Sequence, residues 1–143
     1  MSLISASLRE TVVRRAGNRC EYCRLSQEGQ VATFPVDHIK PTSGGGLTVF
    51  DNLALACPRC NALKWKHVDA PDPETGENVT LFNPRVHRWS DHFRWSATNP
   101  TLVEPLSEIG RATLLLLEMN AAPHQTIRGL LGVLGLHPPP EQT

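Results

Sequence analysis

Two C-x2-C pairs are the residues of this chain best suited to hold a metal ion. Cys20 and Cys23 form one pair, Cys57 and Cys60 form the other, and together they are all of its cysteines. Each pair lets one tight turn supply two sulfurs, and four thiolates satisfy tetrahedral Zn²⁺. Such a closed site has no open coordination position, so we expect it to brace the fold while other residues do the chemistry. A redox pair or unrelated buried thiols stay open as alternatives.

The segment between the two cysteine pairs carries an ordered series of polar residues. Asp37-His38 comes first, followed by Ser43-Gly44-Gly45, then Asp51-Asn52-Leu53, and finally Asn61 directly after the last cysteine. This series resembles the HNH endonucleases, which have a ββα-metal (His-Me finger) fold and in many members zinc-binding cysteines. The resemblance spans about residues 19 to 66, under half of the chain. It implies a metal-dependent enzyme that hydrolyses phosphodiester bonds in DNA.

The resemblance assigns different tasks to the two residues of the Asp-His pair. Phosphodiester hydrolysis needs an activated water on one side of phosphorus and a stabilised leaving oxygen on the other. His38 is implied as the general base, because an imidazole is largely neutral near pH 7 and can accept a proton. Asp37 is implied as an oxygen ligand for Mg²⁺ or Mn²⁺. Neighbouring strand residues point to opposite sides, so we expect the two to approach the phosphate from different directions.

Two asparagines fill the remaining positions of the pattern. By the resemblance, Asn61 stands where a metal-binding histidine is commonest, and its weaker amide ligand favours Mg²⁺ or Mn²⁺ over Zn²⁺ at the catalytic position. Asn52 offers both a donor and an acceptor, so we expect it to tie the Gly-rich loop to the strand and thereby orient His38. Each asparagine could instead cap a helix, and a lone histidine can be structural.

Charge is distributed unevenly along a chain whose formal net charge is zero. Residues 1–68 contain nine Lys and Arg against five Asp and Glu, whereas residues 69–143 contain five against nine. The positive half also holds the cysteines, which favours DNA as a partner, although a solvated surface could carry the same charge. Four basic residues of this half are candidate phosphate contacts: Lys40, Arg59, Lys64 and Lys66.

The elements that must position these residues are short. Apolar spacing predicts an amphipathic helix over residues 7–16, an extended run over 31–39 and a short helix over 61–66. We expect Trp65 on that last helix to belong to the core. The predicted fold class is α+β: a small ββα-metal module braced by a four-cysteine zinc site, with flanking helices and a C-terminal α/β extension.

The predicted domain organisation has three parts. Residues 1–75 form the nuclease module, residues 76–136 form an extension packing on it, and residues 137–143 form a disordered tail. Within this scheme, 68–78 is a boundary loop rich in proline and acids, 79–82 is a strand, and Ser107 caps a helix that runs to about residue 120. The stretch 81–93 is similar to a tail of small bacterial stand-alone HNH proteins. We expect His87 and His92 to pack within this stretch rather than form a second active site.

Two other classes of protein compete with an endonuclease. A zinc-ribbon module that binds nucleic acid without cutting it explains the cysteines equally well, but gives no reason for Asp37, His38, Asn52 and Asn61. A thiol redox enzyme needs a single C-x2-C with an activated thiolate, which the paired arrangement disfavours. Since the chain has no run of about 18 apolar residues and no apolar N-terminal signal, we expect a cytoplasmic protein without a membrane segment.

Overall fold

The computed structural model describes residues 4–140, which divide into two compact units between Val68 and Asp69. The division lies before the boundary predicted at residue 75. Strand β3 (Asp69–Pro71) pairs antiparallel with β4 (Asn78–Thr80), so residues on both sides of the predicted boundary belong to one hairpin. The prediction of a boundary loop over 68–78 is therefore wrong, because Asp69–Pro71 is a strand that its proline-rich and acidic composition did not indicate, whereas its partner β4 overlaps the strand predicted over 79–82.

The first unit begins with helix α1 (Ala6–Arg15), close to the helix predicted over residues 7–16. The Ser5 hydroxyl accepts a hydrogen bond from the Leu8 N–H and caps its start. Val12 points into the core and is fully buried. The Arg15 guanidinium donates to the Phe50 and Leu53 carbonyl groups, so α1 is fastened to the segment that leads into the second strand.

Two strands and a helix form the centre of the first unit. β1 (Val36–His38) pairs antiparallel with β2 (Leu53–Leu55), and the register places His38 opposite Leu53. Helix α2 (Pro58–Lys64) follows, with Pro58 at the first helical position, where its missing N–H is not needed. The predicted extended run over 31–39 shortens to β1, which starts directly after Pro35. This β-β-α order confirms the predicted fold class.

Over its described residues, 69–140, the second unit contains two hairpins and three helices. After β3 and β4 come α3 (Trp89–His92), β5 (Phe93–Trp95), β6 (Val103–Pro105), α4 (Glu108–Leu116) and α5 (Ala122–Val133). β5 pairs antiparallel with β6. The Ser107 hydroxyl accepts from the Gly110 N–H, as predicted for an N-cap. Helix α4 ends before residue 120, because Glu118 adopts a positive φ of 46°.

The histidines of the second unit are packed. The His87 and His92 rings lie 5.0 Å apart, and both contact the Phe82 ring. The predicted disorder from residue 137 is wrong at its first residue, because His137 is buried and its Nε2 lies 2.7 Å from the Pro100 carbonyl oxygen. Residues 141–143 of that predicted tail lie outside the described residues. Within residues 4–140, no helix has the length and apolar character that crossing a bilayer requires.

Candidate active site

The four cysteines converge where α2 begins. Cys57 caps the helix, Cys60 lies in its first turn, and the sulfurs of all four lie within 4.8 Å of one another. The Sγ atoms of Cys23 and Cys57 are 3.7 Å apart. Four bonds of about 2.3 Å to a tetrahedral zinc would separate the sulfurs by about 3.8 Å, whereas a disulfide requires about 2.0 Å. The buried thiols therefore fit a structural zinc ion.

Electrostatics in the cluster also favour a bound cation. Hydrogen bonds with the Cys20 and Cys23 thiols raise the pKa of Cys57 and Cys60, and burial raises both further. Several thiolates so close together repel one another, and a dication removes that cost because metal-bound thiols deprotonate. The knuckle that carries Cys20 and Cys23 is also joined to β2, since Glu21 exchanges hydrogen bonds of 2.8 and 2.9 Å with Leu55.

A cleft of about 230 Å³ opens beside β1 and α2. Three of the four predicted catalytic residues, Asp37, His38 and Asn61, line it. The other lining residues are Val36, Pro41, Thr42 and Trp65. Strand β1 and helix α2 therefore place residues that are far apart in the sequence around one cavity.

His38 is half-buried at the end of β1. Its Nε2 lies 2.9 Å from the Thr48 Oγ1, and no other hydrogen bond to the His38 ring occurs among the described residues. One ring nitrogen is therefore held by a hydroxyl, while Nδ1 keeps no partner in the part of the chain that the structure describes. Sequence reasoning missed Thr48, because a single threonine after a Gly-rich loop has no periodicity or spacing that marks it.

The Asn52 amide fastens that loop to the end of β1. Its Oδ1 accepts from the Lys40 N–H at 2.9 Å, and its Nδ2 donates to the Lys40 and Leu47 carbonyl groups at 3.0 and 2.9 Å. Asn52 does not line the cleft. Its hydrogen bonds join the loop to the strand, as the sequence predicted. Leu47 directly precedes Thr48, the residue that contacts the His38 ring.

Gly46 explains why the loop is rich in glycine. A Cβ at this position would lie 1.8 Å from the Lys40 carbonyl oxygen and 3.0 Å from the Asn52 Nδ2. Only glycine allows the loop backbone to approach the strand so closely. Gly45 has a φ of 88°, which glycine adopts without strain. The run of glycines therefore serves a tight packing contact as well as a turn.

Asp37 lies at the inner end of the cleft in a buried polar network. Only 4% of the residue is exposed, its Oδ2 accepts from the Tyr22 hydroxyl at 2.6 Å, and the same oxygen lies 3.0 Å from the Lys64 Nζ. Burial raises the pKa of Asp37, and the Lys64 ammonium and the Tyr22 hydroxyl offset part of this rise. Both contacts use Oδ2, so Oδ1 has no hydrogen-bond donor among the described residues.

The predicted phosphate contact by Lys64 is wrong. This side chain is 2% exposed, and besides Asp37 its ammonium binds the Ile39 carbonyl oxygen at 3.0 Å. A buried carboxylate requires a nearby cation, which explains why a lysine turns inward here. Of the other predicted contacts, Lys40 and Lys66 are exposed, and Arg59 is half-buried on the first turn of α2.

Trp65 also differs from its prediction. It was predicted to be a core residue, but 64% of it is exposed, and it lines the cleft instead. Trp65 ends α2 with a φ of 47° and a ψ of −119°, and the buried residues of this helix are Cys60 and Lys64, so the indole lies outside its buried face. The Lys66 Nζ lies 4.2 Å from the centre of its ring.

Asp37 and Asn61 fit a second cation that prefers oxygen ligands. Asp37 has one carboxylate oxygen without a donor, and the Asn61 side chain makes no hydrogen bond within residues 4–140. A carboxylate and an amide oxygen on one cleft are ligands that Mg²⁺ and Mn²⁺ accept. The sulfur cluster, by contrast, supplies only soft ligands, so the two sets of residues suit different metals.

Comparison with known families agrees with this arrangement. Residues 20–67 match the sequence profile of a family described as HNH endonuclease. The matched segment contains both cysteine pairs, both strands of the first unit and α2. A search of curated proteins and a search of solved structures gave no match.

Proposed function

On the premise that residues 20–67 belong to the HNH endonuclease family, we propose that this protein is a metal-dependent endonuclease that hydrolyses phosphodiester bonds in DNA. The observation that carries the proposal is that His38, Asp37 and Asn61 line one cleft. A base and two oxygen ligands on one cavity are what hydrolysis of a phosphodiester requires. The excess of basic residues in the first unit supports a polyanionic substrate.

His38 acts as the general base in this proposal. When its Nε2–H donates to the Thr48 hydroxyl, Nδ1 carries the lone pair that accepts a proton from the attacking water. The same hydrogen bond then stabilises the imidazolium that forms. Asn52 keeps the loop, and with it Thr48, against the strand, so it is a positioning residue and takes no proton.

Asp37 and Asn61 would hold a divalent cation, Mg²⁺ or Mn²⁺. When bound, the cation neutralises charge on the phosphate and on the leaving oxygen. Tyr22 and Lys64 fix one oxygen of Asp37, so the carboxylate keeps a single orientation while its other oxygen stays available. A zinc ion on the four cysteines would hold the start of α2 and thereby fix the position of Asn61, which directly follows Cys60.

A zinc-ribbon module that binds nucleic acid without cutting it is the second candidate. The observation in its favour is the ion pair between Lys64 and Asp37, because a neutralised carboxylate attracts a metal ion less strongly. The two candidates differ in one measurable respect, which is whether a phosphodiester is broken.

The test uses supercoiled plasmid incubated with the purified zinc-loaded protein and Mg²⁺ or Mn²⁺. We expect nicking that EDTA stops and that His38→Ala reduces by at least about 100-fold, the contribution of a positioned base. Thr33→Ala is the control, since this exposed, uncharged residue of the same unit does not line the cleft. Nicking that survives His38→Ala would remove His38 as the base. Tight plasmid binding without any cleavage in either metal would establish the binding module instead.

A further inference from the structure

Trp65 presents an indole to solvent at the edge of the cleft. It is one of the largest side chains in the protein, it is 64% exposed, and it shares the cleft lining with His38 and Asn61. An indole left exposed contributes little of the free energy that its burial would supply. Its location on the cleft makes the Trp65 ring available to a ligand that enters there.

The backbone of Trp65 gives a second, independent observation. Its φ of 47° and ψ of −119° lie in a region that residues with a Cβ rarely adopt and that costs free energy. Two backbone hydrogen bonds hold this conformation: Trp65 N–H donates to the Asn61 carbonyl at 3.0 Å, and His67 N–H donates to the Lys64 carbonyl at 2.8 Å. The structure thus maintains a strained backbone that keeps an indole beside Asn61 and the cleft.

Charge around the indole indicates what it binds. The Lys66 ammonium lies over one face of the Trp65 ring, 4.2 Å from its centre, and the His67 ring makes an edge contact with the indole at 5.8 Å between centroids. An exposed indole with a cation beside it matches a nucleotide, whose base stacks on the ring while its phosphate meets the Lys66 ammonium. A base inside an intact duplex is already stacked on both sides and cannot use such a surface.

We propose that Trp65 is a stacking platform for an unpaired nucleobase, so that the cleft selects DNA in which a base next to the scissile phosphate is single-stranded or displaced from the helix. This inference rests on the proposed nuclease function and names its substrate class. Trp65 is then a specificity-determining residue that contacts substrate, and Lys66 contributes through charge that is independent of the base.

Fluorescence anisotropy with the full-length zinc-loaded chain tests the proposal. The measurement is made without Mg²⁺ or Mn²⁺, so that binding is separated from cleavage. Four labelled probes of one sequence are compared: a single strand, a blunt duplex, a duplex with one bulged base, and a single strand with abasic sites. The abasic strand keeps every phosphate and lacks only the stacking surface.

We expect the single strand and the bulged duplex to bind more tightly than the blunt duplex and the abasic strand. Trp65→Leu should reduce binding of the first two probes by roughly 5-fold to 100-fold, which is the range for one stacked base, and leave the other two unchanged. Trp65→Phe should restore most of the preference. Lys66→Ala is the contrasting variant, because loss of a phosphate contact should weaken binding of all four probes by a similar factor.

Trp65→Gly distinguishes a substrate contact from a structural role. Glycine adopts a positive φ without strain, so this variant should melt at the same or a higher temperature than the wild type while losing the preference for unpaired bases. Equal binding of all four probes by the wild type, or unchanged binding by Trp65→Leu, would overturn the proposal. The nuclease proposal is judged separately by plasmid nicking, so a preference for unpaired bases without cleavage would refute that proposal and leave the stacking platform standing.

Discussion

The Gly46→Ala substitution tests the link between the loop and His38. The new Cβ would lie 1.8 Å from the Lys40 carbonyl oxygen, whereas real contacts of this kind stay at or above 3.0 Å, so loop and strand must separate by about 1.2 Å. That shift breaks or lengthens the three hydrogen bonds of the Asn52 amide, each of which contributes about 1 kcal/mol. We expect a loss of about 2–3 kcal/mol in the free energy of unfolding.

Activity should fall more sharply than stability. Thr48 follows the displaced loop, and a misplacement of about 1 Å at a catalytic group can lower the rate by roughly 100-fold. Plasmid nicking measures this effect, and urea unfolding measures stability. Gly44→Ala is the matched control, because a Cβ there would lie 3.6 Å from the Pro41 side chain, an ordinary contact. Equal activity of the two alanine variants would refute the reasoning that the close approach at Gly46 positions His38.

Three further predictions concern the surroundings of the site. Thr48→Val should lower kcat by about tenfold or more with little change in KM, because the Thr48 hydroxyl holds the His38 ring. Thr48→Ser keeps the hydroxyl and should restore kcat. Steady-state cleavage of a labelled oligonucleotide measures both parameters. Lys64→Met should lower the free energy of unfolding in urea by about 3–5 kcal/mol, since it leaves the Asp37 carboxylate buried without its cation. Adding Asp37→Asn to this variant should recover much of the loss. A Lys64→Met variant as stable as the wild type would contradict the buried ion pair. Elemental analysis should find one zinc ion per chain. Cys60→Ser should reduce the zinc content and unfold the first unit. Full zinc content in that variant would exclude the four-cysteine site.

Local sequence signals determined several parts of this protein. The cysteine spacing predicted a cluster that is present, because a C-x2-C turn brings its two sulfurs together whatever surrounds it. The apolar spacing of residues 7–16 predicted α1, and Ser107 predicted the start of α4, because helix periodicity and N-caps are local properties. The resemblance to the HNH endonucleases implied that His38, Asp37 and Asn61 belong to one site, and they line one cleft.

Tertiary structure decided the residues whose environment depends on distant partners. Lys64, predicted to contact phosphate, is buried because it pairs with the Asp37 carboxylate. Trp65, predicted to belong to the core, is exposed at the end of α2, outside the buried face of that helix. Thr48 became a partner of His38 only because Gly46 lets the loop approach the strand. The burial of a charge and the close contact of two backbones depend on residues that are distant in the sequence. Local sequence patterns therefore cannot predict them.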